Sequence, residues 1–193
     1  MTRTLVVALA LLAAPLPARS APFVEVEGVR YRTLREASPS APELHLHGAG
    51  LLRYKGIFKA YVAALYLGGN AGADRALDAA TPRRLEIEYF FAIPAHGFAD
   101  VTREGIARTT PADEYASIAA SVDRFCALYR DVKPGDRYSI EYVPGAGTRL
   151  ALNDEVLGTV EGDAFARALF GLWLGDGALD RSLRQKLLER IST

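Results

Sequence analysis

Cysteine is nearly absent from this 193-residue chain: there is one, Cys126, beside a single tryptophan, a single methionine and three histidines. One cysteine excludes an internal disulfide framework and any cysteine-rich zinc site. Net charge is absent too, with 23 Lys and Arg against 23 Asp and Glu. A nucleic-acid binder needs a basic face, so that class is excluded, as is a highly charged disordered chain. The length fits one domain with a real core.

The one long apolar run is at the start. Met1-Thr2-Arg3 precedes Leu5–Ala14, and Pro15 and Pro17 follow. About 20 apolar residues are needed to span a bilayer, so this shorter run reads as the core of a secretory leader. Ala18 and Ser20 place small residues three and one before a cut ahead of Ala21. The expected organisation is a signal peptide over 1–20 and one domain over 21–193, released without a membrane span into the periplasm or medium. Losing Arg3 and Arg19 leaves a small negative charge, too little to imply a polyionic partner.

Alternation predicts strands at Phe23–Glu27, Glu43–His47, Leu85–Phe91, Tyr138–Val143, Thr148–Leu152 and Val156–Val160. The run Phe58–Leu67 reads as a buried strand, its alanines leaving a helix possible. Gly48-Ala49-Gly50 permits either a sharp bend or close packing. Asp74–Ala80 looks helical, and a short helix is expected over Phe98–Arg108. Thr110-Pro111 opens a further helix, with Thr110 as its cap. Its apolar stripe runs through Tyr115, Ile118, Val122, Phe125, Cys126 and Tyr129. On that stripe Cys126 reads as a buried, inert thiol. Asp163 and Asp180 are candidate caps for two last helices. Strands and helices in blocks, with short turns between the later strands, predict an α+β fold: an antiparallel sheet with helices on one face.

Chemical motifs are few. Gly145-Ala146-Gly147-Thr148 lacks the lysine of a phosphate loop and reads as a hairpin. Glu43, His45 and His47 would share one strand face, but they read as a wet face rather than a metal site. No G-x-S-x-G or H-E-x-x-H occurs, and no cofactor is implied. The unusual segment is Gly48–Phe58, where Arg53 and Lys55 sit between glycines and an apolar strand. Arg53 there either presents a bidentate charge to an anion or pairs with a carboxylate.

The stretch Leu44–Lys55 with Phe58–Leu67 resembles the bacterial chalcone-isomerase-like proteins, relatives of plant chalcone isomerase and of plastid fatty-acid-binding proteins. The resemblance continues at Gly135-Asp136, Tyr142–Thr148 and Phe165–Gly175. It implies an open-faced β-sandwich with a ligand cleft between sheet and helices. Arg53 looks like the arginine that meets the substrate's oxyanion in the plant enzyme, and Tyr61 falls near its catalytic threonine. Phe98, Val101, Gly105 and Leu172 fall where that enzyme carries hydrogen-bond donors. Each missing oxyanion donor removes about 10²–10³ in rate, so the resemblance favours binding over catalysis. The implied ligand is a small amphipathic or carboxylate molecule such as a fatty acid. Arg53 would hold its head group, with Tyr61 or Tyr66 assisting, while Phe98, Leu172 and Trp173 line the apolar part. The alternatives are an isomerase or lyase acting on an enone, with Arg53 as the electrophile, and an interaction protein of the export compartment.

Overall fold

A computed structural model describes residues 22–36 and 42–191. The segment 1–20, expected to be a leader, and most of the Ser38–Pro42 loop lie outside the described residues. Among the described residues nine strands and four α-helices follow one another. A hairpin of β1 (Phe23–Val26) and β2 (Val29–Arg32) precedes β3 (Leu34–Arg35), β4 (Leu44–Tyr54) and β5 (Phe58–Gly68). β6 (Arg83–Tyr89) leads into α1 (Ala95–Thr109) and α2 (Ala112–Cys126). β7 (Arg137–Val143), β8 (Gly147–Leu152) and β9 (Glu155–Val160) then precede α3 (Asp163–Leu174) and α4 (Arg181–Leu188). Strands β3 to β9 form one seven-stranded sheet in chain order, every neighbouring pair antiparallel. The expected α+β, open-faced sandwich is what the chain adopts.

Strand alternation divides the sheet into two faces. Ala63, Leu65, Leu85, Ile87, Tyr138 and Ile140 share the main core with Ile106, Phe125, Leu169 and Leu183 of the four helices. Residues between them in sequence point the other way. Val62, Ala64 and Tyr66 pack under the β1–β2 hairpin with Val29 and Tyr31.

Beyond that hairpin the outer face is polar but not wet. Glu86 is fully buried. It accepts hydrogen bonds from Arg35 Nη2 at 2.6 Å, Arg84 Nε at 2.8 Å and Arg137 Nη1 at 3.3 Å. Glu141 accepts from Arg84 and Arg149, and Glu88 from Arg137. Cross-strand pairing puts Arg84 opposite Glu141 and Glu88 opposite Arg137, so alternating charge covers the part of this face that the two-stranded β1–β2 sheet leaves open.

Several local expectations differ from the structure. Asp74–Ala80 holds only a single 3-10 turn, Ala73–Arg75. Thr110 ends α1 instead of capping α2, whose N-cap is Pro111. Asp163 lies inside the first turn of α3 and accepts a hydrogen bond from Tyr142, whereas Asp180 caps α4 through Leu183 N at 2.7 Å. Cys126 is buried with Sγ 3.6 Å from Ala99 O, and burial pushes its thiol up to about 11. It is therefore an unionised packing group at neutral pH.

Candidate functional site

One cavity, about 160 Å³, opens between the inner sheet face and the helices. Its floor is built by inward positions of three adjacent strands: Tyr61 of β5, Ile87 and Tyr89 of β6, and Tyr138 and Ile140 of β7. Phe98, Val101 and Thr102 of α1 and Leu172 and Trp173 of α3 cover it, with Ile93 just before α1 and Leu179 just before α4. Register explains the convergence, because Tyr61 pairs with Tyr89, and Ile87 with Tyr138. The roof is close because Gly105 lets α3 approach: a Cβ there would stand 2.7 Å from Leu172 Cδ2. Val101 and Leu179 keep 51% and 37% of their surface exposed, marking the rim.

The walls are aromatic. Phe98 sits among Tyr89, Tyr129 and Tyr138 with centroid distances of 5.2, 5.4 and 5.3 Å. Phe98 meets Tyr89 and Tyr138 edge to face and stacks on Tyr129, and aromatic pairs in such geometries stabilise beyond their buried area. Most hydroxyls are already engaged. Trp173 Nε1 donates to Tyr61 Oη at 3.1 Å, Thr102 Oγ1 and Tyr129 Oη share a bond at 3.0 Å, and Tyr138 Oη donates to Arg130 O at 2.7 Å. For Tyr89 Oη no hydrogen-bond partner is found among the described residues. Burial raises the pKa of Tyr61, Tyr89 and Tyr129 well above the ordinary tyrosine value. All three stay neutral at physiological pH, as donors and not as bases. None of the residues lining the cavity is charged.

Of the residues the sequence singled out, Tyr61, Phe98, Leu172 and Trp173 come together here. Tyr66 does not: its position has the opposite parity from Tyr61's neighbours Ala63 and Leu65, so it is buried beneath the hairpin, 5.7 Å from the Arg35 guanidinium. Arg53 does not either. β4 runs through the glycines as one strand, and Arg53 stands near its far end, 45% exposed, with Nη2 3.8 Å from Glu27 Oε1 and Nη1 3.4 Å from Ile57 O. It lines a separate groove with Glu27, Asp180 and Lys186. The expected head-group anchor and the expected apolar lining are thus in different places. Tyr89, Thr102 and Tyr138 are not singled out from sequence, and Tyr129 is read there only as part of an apolar helical stripe. Tyr89 and Tyr138 occupy inward positions of alternating strands, and Thr102 lies one helical turn after Phe98, which is the signal that would have found them.

Glu43, His45 and His47 do not gather around a common point. His45 is exposed and pairs with Glu43 at 3.1 Å, while His47, beside a bulge in β4, is buried with Nε2 3.2 Å from Leu188 O of α4. Among the described residues no cluster of three or more His, Cys, Asp or Glu side chains is placed to hold a metal ion. No helix among them is long and apolar enough to cross a membrane.

Comparison with known proteins agrees with this architecture. The crystal structure of an Arabidopsis thaliana fatty-acid binding protein superposes with a TM-score of 0.66 at 14% identity, covering 86% of this chain and 96% of the other. At that identity the likeness is one of fold. No curated protein matches the sequence. The family model described as chalcone isomerase-like matches residues 23–189, from the first strand to the end of the last helix. On that match, the chain belongs to the chalcone isomerase-like family.

Proposed function

We propose that this protein is a non-catalytic binder of a small, mainly apolar ligand, exported from the cytoplasm by its leader. The observation that carries the reading is the cavity itself: aromatic walls, neutral hydroxyls and no charged lining. A carboxylate buried there would lack a cation, at a cost its apolar contacts do not offset. An amphipathic ligand such as a fatty acid therefore enters tail first, its head group left in water by Val101 and Leu179. Size narrows the class further. A cavity of about 150 Å³ admits benzene, so this one suits a single ring or a short acyl chain. The likeness to a fatty-acid binding protein supports the same class. The isomerase alternative gave Arg53 the developing oxyanion, and that guanidinium is outside the cavity, paired with Glu27.

Calorimetric titration with acids of graded chain length and with single-ring aromatics tests the reading. We expect saturable binding of the short or single-ring compounds. Ile140→Phe, which extends a floor side chain into the cavity, should weaken it at least tenfold, and Ile87→Phe serves if the first variant folds poorly. Arg53→Ala should leave it within twofold. Binding that depends on Arg53 and ignores both floor variants would refute the assignment.

Export rests on the basic start and apolar run of the first 20 residues. Expression in a secreting host should yield a chain lighter by residues 1–20 in intact-mass measurement. A full-length product in the export fraction would overturn that part.

A further inference from the structure

The β4–β5 hairpin ends in an apolar tip that the ligand reading does not use. Tyr54, Ile57 and Phe58 are 55%, 72% and 62% exposed. A soluble surface shows single exposed apolar residues routinely; three together on one turn is a different matter. The turn is well formed. Lys55 and Gly56 both take positive φ, 51° and 72°, Ile57 N donates to Tyr54 O at 3.2 Å, and Tyr54 pairs with Phe58. Charge surrounds this tip with one sign in excess. Arg53, Lys55 and Lys59 are all exposed; Glu27 pairs with them, 2.8 Å from Lys59 and 3.8 Å from Arg53, and Asp180 shares the groove beside Arg53 with a further cation, Lys186. The local surplus is cationic on a chain whose formal net charge is zero.

We propose that this tip docks the protein on an anionic lipid surface, with Ile57 and Phe58 entering the headgroup layer and Arg53, Lys55 and Lys59 meeting lipid phosphates. The shape selects the occupant. A hairpin tip is convex, so a folded partner would need a matching pocket, whereas a bilayer deforms around the inserted side chains. Apolar side chains ringed by long cationic ones match an interface that is apolar inside and anionic at its surface. Tyr54 adds an aromatic ring, with Lys55 Nζ 5.3 Å from its centroid, and such rings favour headgroup depth. The tip also lies at the end of the sheet that holds the cavity, since Tyr61 is three residues beyond Phe58 on β5. Docking and ligand binding are separable: the tip shares no side chain with the cavity lining.

The test uses Ile57→Trp as a local reporter in the full chain, read against the single buried native tryptophan, Trp173. With vesicles of phosphatidylcholine containing about one-third phosphatidylglycerol, the added emission should shift to the blue and be quenched by lipids brominated near the headgroup. Pure phosphatidylcholine should give a much smaller shift, and raised salt should reverse most of the effect. Lys55→Glu with Lys59→Glu, in the same background, should weaken the response at least tenfold. Because the readout is local to position 57, attachment through any other segment does not imitate it. An emission that stays water-like and unquenched at every anionic content overturns the proposal. So does a blue shift that needs no vesicles and scales with protein concentration, which would assign the tip to contact between two copies.

Discussion

Glu86→Ala should lower stability by about 3–5 kcal/mol, the range for breaking a buried ion pair by removing one partner. The side chain is fully buried, and its two oxygens gather Arg35, Arg84 and Arg137. Removing it leaves three guanidinium groups converging on an empty centre. Among the described residues, Arg84 and Arg137 retain acids, Glu141 and Glu88, and no second acid is paired with Arg35. Glu86→Gln keeps the volume and part of the hydrogen bonding, so it should cost less than alanine but more than a surface change. Asp154→Asn is the matched control, because asparagine tolerates the positive φ of 68° at this turn position. Its carboxylate is 3.9 Å from Arg84 and 91% exposed, and an exposed pair contributes about 0–1 kcal/mol. Urea unfolding midpoints at constant slope separate the three variants. The cavity is on the other face of β6, lined from that strand by Ile87 and Tyr89. Ligand affinity should therefore hold wherever Glu86→Ala remains folded. A midpoint like that of wild type would mean that the arginines are satisfied by solvent.

That outer face shows how far the sequence could be read. Alternation in Leu85-Glu86-Ile87-Glu88-Tyr89 was legible as a strand with one apolar side, since period two needs no partner to be visible. What alternation cannot say is whether the polar side meets water. Glu86 looks from its neighbours like a solvent residue, and it is buried because Arg35, 51 positions earlier, folds across it. The same limit explains Arg53. Its spacing after the glycines and its resemblance to a catalytic arginine suggested a ligand contact. Its partner Glu27 belongs to a hairpin whose position over the sheet no local pattern encodes. Tyr66 was separable in principle. It differs from Tyr61 by an odd number of positions, so one strand cannot turn both toward the same cleft. Tyr61, Phe98, Leu172 and Trp173 converge because each lies on the inward face of its own element, a property that periodicity does carry. The 3-10 turn at Ala73–Arg75 shows the reverse case, a segment with helical composition too short to pay for nucleation.

Gly48→Val should be the most damaging single change outside that ion network. Gly48 does not bend β4; it lies within the strand, beside the bulge after Leu46, and what it supplies is room. A Cβ there would stand 2.3 Å from Leu187 O and 2.5 Å from Lys186 O, both backbone atoms at the end of α4. Backbone cannot rotate away as a side-chain tip can, so the helix must move. The segment just beyond the helix is tied to the same strand, Ile191 N donating to His47 O at 2.8 Å, and the last turn of the helix holds Leu187 in the core. Overpacking costs about 1–3 kcal/mol where neighbours can adjust, and Gly48→Val should reach or exceed the top of that range. Gly50→Ala should cost less, because its nearest contacts are side-chain atoms, Lys186 Cβ at 2.7 Å and Leu183 Cδ1 at 3.1 Å. The displacement should also reach the cavity. α4 is capped by Asp180, directly after Leu179, which forms part of the rim. We expect Gly48→Val to weaken ligand binding severalfold in the same calorimetric titration, at a temperature where circular dichroism shows the sheet intact. Lowered stability with unchanged affinity would instead confine the damage to the last turn of α4 and leave Leu179 in place.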